Sequence, residues 1–348
     1  MKFNNFIYKL KSFILSFRLK KKHTNSSDNG INYVCLVLVN VGLGDAIMAT
    51  SFIRMLKILG VTTDVITTKK IVPILNDNGD IRNVIVVNDS IYENKQRYDL
   101  VIDPYSHCSW YFTYKYLKVL SYIDYNMVSG FDVKFADKYN DNYIPEDRGI
   151  HLTSYYQHIL KKYWLKDSIP DNYVVNYSDD ILDKASNWFS TLPEKTFKVA
   201  FCPFASTAQR SLSDNQINSI LKHFASRNDI SVILLMEKSK VASIEMQNNS
   251  YYFESPDFMS AAALVGLCHF IVSVDTSFVH IANSQNKPAL VLYSSVYNDG
   301  YNTDTLCGPN YNNARQLVEA SGVASMSAEI ICNYIDEELS KLTITHVL

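Results

Sequence analysis

The sequence predicts an α/β protein made of two successive halves, each a mostly parallel sheet with helices on both faces. Three observations carry this expectation. From Asn32 onward the chain repeats strand, loop and helix; its strand segments are short unbroken apolar runs of the kind buried on both sides; and one polar, proline-bearing stretch interrupts the series near its middle. A length of 348 residues is long for one core and comfortable for two domains of ordinary size.

In the first half, YVCLVLVN (33–40) reads as a buried strand, and AIMATSFIRMLKILG (46–60) has helical spacing ended by Gly60. TDVITT (63–68), NVIVVN (83–88), YDLVIDP (98–104) and NMVSGF (126–131) read as further strands. A polar stretch around Lys166–Thr196, with Pro170 and Pro193, separates the halves. KVAFCPF (198–204) opens the second series. Ser213 followed by Gln216 is a capping-box pattern for a helix to about Ala225. ISVILLM (230–236), SYYF (250–253), FIVSVD (270–275) and ALVLY (289–293) are its other strands. The expected organisation is a basic amphipathic segment and linker (1–30), a first domain (31–166), an interdomain linker (167–195), a second domain (196–326) and a C-terminal helix (327–348), with a cleft between the domains.

Charge is unevenly spread. Residues 1–23 contain seven Lys or Arg and no acid, which leaves 26 basic and 35 acidic residues, a charge of −9, on the remainder. So acidic a body argues against a nucleic-acid polymer as partner. Cys35, Cys108, Cys202, Cys268, Cys307 and Cys332 form no C-x-x-C pair, which fits a reducing cytoplasm better than disulfides or zinc. No run of 18 apolar residues exists, so no transmembrane helix is expected. In FIYKLKSFILSFRLKKK the apolar Phe6, Leu10, Phe13, Ile14 and Phe17 recur at helical spacing among cations. This is a helix lying on an anionic membrane surface, a helix packed on the body, or a disordered tail. HTNSSDNG (23–30) reads as a linker.

Three loops carry chemistry. The first, Val41-Gly42-Leu43-Gly44-Asp45-Ala46, follows a strand and opens a helix. As a dinucleotide fingerprint it fails where a third small residue is needed, because Ile47 stands there, and Asp45 would repel a pyrophosphate. An acid at a helix start suits proton abstraction from a sugar hydroxyl, or simple helix capping. The second, Asp275-Thr276-Ser277-Phe278-Val279-His280, ends a strand and starts a helix whose amides and hydroxyls suit a diphosphate. Alternatively, Asp275 caps the helix and His280 belongs to the core. The third, Pro203–Arg210, follows another strand and offers one Arg for a phosphate contact.

In order and spacing the three loops resemble glycosyltransferase family 9, the ADP-heptose:lipopolysaccharide heptosyltransferases. VGLGDAIMATSFIRMLK is similar to the family's opening G-D-x-x-x-T-x-x-x-R-x-L segment, and SVDTSFVHIANSQNKPALVLY to its D-T-G-x-x-H-x-A segment. The resemblance runs from about residue 33 to 300. It implies a GT-B type fold, two Rossmann-like parallel-sheet domains facing a central cleft, with acceptor bound by the first and nucleotide sugar by the second. It implies inverting, metal-independent transfer of a heptose from an ADP-sugar to a lipopolysaccharide or lipooligosaccharide core acceptor. The nucleotide sugar is a co-substrate and no cofactor is needed. Asp45 matches the family's general base in the loop of Gly42 and Gly44. Asp275, Thr276, Ser277 and His280 match its donor-binding signature, and Arg210 stands at its phosphate-contacting Lys. Ser277 departs from the usual Gly, and Glu237, in MEKSK, stands near the usual acidic ribose ligand. The chain contains no D-x-D, the pair that metal-dependent transferases use. The aromatics of the acceptor half (Tyr105, His107, Trp110, Tyr111) match no pattern. The implied partners are the nucleotide sugar, a glycolipid acceptor and an anionic membrane surface, placing the protein in the cytoplasm or on the inner face of the cytoplasmic membrane. Three other readings stand beside it: a transferase using another nucleotide sugar for a surface polysaccharide or protein, an NAD-dependent oxidoreductase on the G-x-G loop, and an inactive binding or assembly subunit.

Overall fold

The computed structural model describes residues 2–19, 30–87, 91–93, 95–105, 109–147, 149–170, 172–295, 297–298 and 301–345. His107, Cys108 and most of the linker expected at 23–30 lie outside them. The chain forms two compact units, Met1–Pro170 and Asp171–Leu348.

The first unit contains, in chain order, α1 (Lys2–Arg18), β1 (Tyr33–Leu38), α2 (Leu43–Ile58), β2 (Thr62–Thr67), α3 (Val72–Leu75), β3 (Asn83–Val86), β4 (Arg97–Asp103), α4 (Trp110–Leu120), β5 (Asp124–Phe131), β6 (Asp141–Tyr143) and α5 (Thr153–Trp164). The strand order is β3-β2-β1-β4-β5-β6, and every pairing is parallel. The apolar runs of β1 and β4 are buried because helices cover both sides. On one face Cys35, Val37, Tyr98 and Val101 pack with Tyr116, Leu117 and Leu120 of α4. On the other, α2 packs on α5, with Phe52 stacked on Tyr156 at 4.8 Å. Helix α2 stops at Ile58, and Gly60 turns the chain with φ +77°, a left-handed value that glycine accepts without strain.

The second unit contains α6 (Asp179–Phe189), β7 (Phe197–Cys202), α7 (Asp214–Ala225), β8 (Ile230–Leu234), α8 (Lys238–Val241), β9 (Ser250–Tyr252), α9 (Phe258–Leu267), β10 (Phe270–Val274), α10 (Ser277–Ser284), β11 (Ala289–Ser294), the two-residue strands β12 (Tyr297–Asn298) and β13 (Tyr301–Asn302), α11 (Thr303–Leu306), β14 (Ala314–Glu319) and α12 (Ala328–Thr345). Its sheet runs β14-β11-β10-β7-β8-β9, again entirely parallel. Ile217, Ile220 and Phe224 of α7 and Ile331, Ile335 and Leu339 of α12 fill the core on one face. The capping box of α7 is present: Ser213 Oγ accepts from Gln216 N–H, and Gln216 Oε1 accepts from Ser213 N–H at 2.8 Å.

Two features depart from the sequence reading. The stretch 167–195, expected as linker, contains the unit boundary but also α6, which packs on α9. Ala185 is the one fully buried residue of that helix, so its sequence is mostly polar and hides the helical pattern. The edge strands β6 and β14 were not anticipated either. They are only half-buried, so they lack the apolar run that marks the inner strands.

Among the described residues, no helix is long and apolar enough to cross a membrane. Cys35, Cys202, Cys268, Cys307 and Cys332 carry free thiols.

Candidate active site

Strand order alone marks one place on each sheet. In the first sheet the chain runs from β1 outward to β2 and β3, and from β4 in the opposite direction to β5 and β6. The connections therefore diverge between β1 and β4, beyond their carboxyl ends, the usual ligand crevice of an open parallel sheet. In the second sheet the same divergence falls between β7 and β10. The loops singled out in the sequence follow β1, β7 and β10.

At the first switch point the chain leaves β1 through Asn40, whose φ of 60° is a left-handed conformation that Asn tolerates. Gly42 is the N-cap of α2. Asp45, in the first turn, reaches back so that its Oδ2 accepts the Gly42 N–H at 2.8 Å. Gly42 has no side chain to reciprocate, so this is half of a capping box. A Cβ at Gly42 would sit 3.1 Å from that oxygen, which explains the glycine. Gly44 lies in the same first turn. Asp45 thus does cap, and it is also half-exposed at the switch point, so the two readings of this residue are compatible.

Sequence reasoning passed over the partner of this loop. Asp103 ends β4 beside β1, is fully buried, and accepts a hydrogen bond from Tyr139 Oη at 2.8 Å. Burial, and after it the nearby charges of Asp103 and Asp45, push the Tyr116 phenol well above its ordinary range. Tyr139 is raised by burial and by Asp103. Both phenols therefore stay protonated at any physiological pH. The signal was present: a carboxylate closing an apolar strand in YDLVIDP, the pattern that drew attention to Asp275. Three of the aromatics of this half that match no pattern pack against their own unit. Trp110 lies 6.0 Å from Phe13 of α1, Tyr111 lies 5.1 Å from Tyr8, and Tyr105 packs against the core.

At the second switch point, the loop after β7 places Arg210 against the end of β10. Its Nη2 donates to the Asp275 carbonyl at 2.7 Å and lies 2.9 Å from Asp275 Oδ2. Asp275 is 6% exposed and Arg210 29%. The N-cap of α10 is Thr276, whose hydroxyl accepts from Phe278 N–H at 3.3 Å. The capping role considered for Asp275 is therefore corrected. Thr276 caps, and the carboxylate is left to hold the guanidinium. Ser277 follows in the first turn, half-buried, beside Phe278, whose ring stacks on Phe258 at 5.4 Å. His280 is buried one turn further on, its ring 5.7 Å from that of Tyr173. Glu237, after β8, is exposed and starts the short α8.

A cation fixed by a buried carboxylate beside a helix start can receive a phosphate-bearing ligand without reorganising. Among the described residues there is no group of three or more His, Cys, Asp or Glu that could hold a metal ion. The dinucleotide reading lacks a ribose acid as well, because Asp64 lies near the start of β2, the wrong end of the strand for that contact. Asp64 accepts from Arg82 Nε and Nη2 at 2.9 and 2.6 Å, from Asn83 Nδ2 at 3.1 Å and from Tyr98 Oη at 2.8 Å. No acceptor capacity remains on it for a ribose.

Comparison with known proteins gives a family and a fold. The sequence model described as glycosyltransferase family 9 (heptosyltransferase) matches residues 119–317. The Escherichia coli (strain K12) protein named "Putative lipopolysaccharide heptosyltransferase 4" is 24% identical over 348 residues, covering 95% of this chain and 94% of its own length. A glycosyl transferase family 9 structure from Veillonella parvula DSM 2008 has a TM-score of 0.75 at 15% identity, over 91% of this chain and all of that one. The E. coli ADP-heptose lps heptosyltransferase II structure has a TM-score of 0.66 at 16% identity, over 90% and 99% of the two chains. The E. coli heptosyltransferase WaaC structure with ADP has a TM-score of 0.64 at 14% identity, over 88% and 99%. Identities this low speak for the fold.

Proposed function

This chain belongs to glycosyltransferase family 9, and from that premise we propose that it moves a heptose, or a related sugar, from an ADP-sugar to the core of a lipopolysaccharide or lipooligosaccharide acceptor, without a metal and with inversion. The observation that carries the donor side is Arg210 clamped on Asp275 at the second switch point, next to the Thr276–Ser277 helix start. The ADP-bound E. coli relative supports the choice of nucleotide.

The chemistry is a single displacement. Asp45 takes the proton of an acceptor hydroxyl, and that oxygen attacks the anomeric carbon from the face opposite the leaving group. The bond from anomeric carbon to diphosphate oxygen breaks, and the electron pair leaves on the nucleoside diphosphate. Arg210 and the amides at the start of α10 stabilise the departing charge, which exceeds that of the bound donor and so favours the transition state. Asp275 holds the guanidinium in place. His280, one turn into α10, is assigned a hydrogen bond to the same departing group. Glu237, exposed at the start of α8 after β8, is the acid assigned to the ribose in this reading. A lipid-linked acceptor puts this reaction at the inner face of the cytoplasmic membrane.

The test is calorimetric titration with ADP, UDP and NAD in parallel. Binding of ADP alone, weakened at least about tenfold in Arg210→Ala, is the expected result. Preference for NAD would return the protein to the oxidoreductases, and preference for UDP would move it to another nucleotide sugar.

A further inference from the structure

Helix α1 is built inside out. Its buried side consists of Ser12, Ser16 and the following Leu19, with Ile7, Tyr8 and Leu15 half-buried, and it packs on α4. Both serine hydroxyls bond to their own helix, Ser12 Oγ to the Tyr8 carbonyl and Ser16 Oγ to the Phe13 carbonyl, each at 2.8 Å. Small satisfied side chains allow close packing and cost little to bury. Most of the bulky residues point the other way, and Phe13 sits at the edge, its ring 6.0 Å from Trp110 and 5.1 Å from Phe135. Phe6, Leu10, Phe13, Ile14 and Phe17 are all exposed, Phe6 by 65% and Phe17 by 80%. They recur at i, i+4, i+7, i+8 and i+11, one continuous stripe of the helix. A helix meant only to cover a soluble body carries these residues on its packed side.

The rim of the stripe is cationic and aromatic. Lys9 lies over the Trp110 ring at 5.4 Å, Lys11 over Tyr114 at 5.6 Å, and Lys115 over Tyr111 at 5.3 Å. Neither α1 nor α4 contains an Asp or Glu, in a chain whose remainder beyond residue 23 carries −9. Asp137, two residues after the Phe135 that touches Phe13, is paired with Lys138 at 3.0 Å. A two-fold contact between copies through this face would set the cations of one copy against those of the other. Exposed Phe and Leu with a Lys, Tyr and Trp rim is instead the composition of a helix lying in the headgroup layer.

We propose that the outer face of α1, with the rim supplied by α4, is a docking surface for a bilayer containing anionic lipid. Its use rests on the glycolipid reading above; the binding itself needs neither donor nor acceptor. The test is co-sedimentation of the full-length protein with vesicles of phosphatidylcholine alone and of phosphatidylcholine mixed with phosphatidylglycerol, at low and high salt. The wild-type protein is expected to bind the anionic vesicles, less at high salt, and the neutral ones weakly. F6Q/I14Q/F17Q is expected to bind at least about tenfold more weakly, or about 1.4 kcal/mol. K9E/K11E is expected to lose binding and most of its salt dependence. All three triple-variant positions are exposed, so an unchanged Tm verifies the fold. Equal binding by wild type and triple variant, or no binding to anionic vesicles, overturns the proposal. So does a self-association, seen by sedimentation velocity, that the triple variant abolishes without any change at the vesicles. Failure here leaves ADP binding and transfer standing, and failure of those leaves vesicle binding unaffected.

Discussion

Arg210→Ala separates a structural from a functional role for the pair at the second switch point. In the wild-type protein one guanidinium nitrogen serves both the carbonyl and the carboxylate of Asp275. Removing one partner of a buried ion pair costs about 3–5 kcal/mol, whereas an exposed pair is worth about 0–1. Asp275 is 6% exposed and Arg210 29%, so the cost lies between, at about 2–3 kcal/mol. In a unit of this size that lowers the melting temperature by roughly 5–10 °C. Losing a charge-assisted hydrogen bond to the diphosphate removes about 1.5–3 kcal/mol more from ADP binding, roughly a 10- to 150-fold rise in Kd. The informative comparison is the double variant R210A/D275N, in which no charge is left stranded. It is expected to recover at least half of the lost melting temperature but little of the ADP affinity. Scanning calorimetry and ADP titration on the four proteins of the cycle give both quantities. A single variant that melts and binds like wild type, or a double variant no more stable than the single, refutes the assignment of Asp275 as the holder of Arg210.

Asp45→Asn is expected to lower the transfer rate by about 10²–10⁴ while leaving ADP affinity within a few-fold, because only the base is removed; near-normal turnover by the folded variant contradicts that role. Activity is expected to survive excess EDTA, since Arg210 and helix-start amides carry the diphosphate charge; loss on chelation with recovery on Mg²⁺ or Mn²⁺ contradicts it. Asp141 supplies a pH effect on stability. Burial raises its pKa, but hydrogen bonds from Lys162, Ser129 and His158 outweigh this and hold it below the ordinary value. A depressed carboxylate stabilises the fold above its unfolded pKa of about 3.9 and loses that contribution as pH falls through the lower folded value. Wild-type stability should therefore drop below about pH 4, and Asp141→Asn, already weaker at pH 7, should show a shallower drop; parallel stability curves refute this.

The inner strands were legible because burial on both faces writes an unbroken apolar run, as in YVCLVL and FIVSV. The start of α7 was legible because capping chemistry is local, as Ser213 and Gln216 show. Asp45 and Arg210 stood out because each follows such a strand. What escaped depends on partners distant in sequence. Asp103 gains its meaning only when β4 pairs with β1, and Tyr139 reaches it from 36 positions away. Capping by Asp275 stayed an open alternative in the sequence until Thr276 took that place and Arg210, 65 positions earlier, took the carboxylate. The stripe on α1 was visible as a pattern, but periodicity cannot say which side of a helix meets the body. Small hydroxyl residues do not mark a buried face in sequence.

The central claim is tested most directly by mass spectrometry of core glycolipid incubated with the purified protein and ADP-heptose in EDTA. The glycolipid is to be taken from cells lacking the gene, so that its acceptor position is open. The expected result is a product heavier by one heptosyl residue, formed with release of ADP and absent when Asp45→Asn replaces the wild type. Unchanged glycolipid, with ADP-heptose intact or merely hydrolysed, contradicts the account.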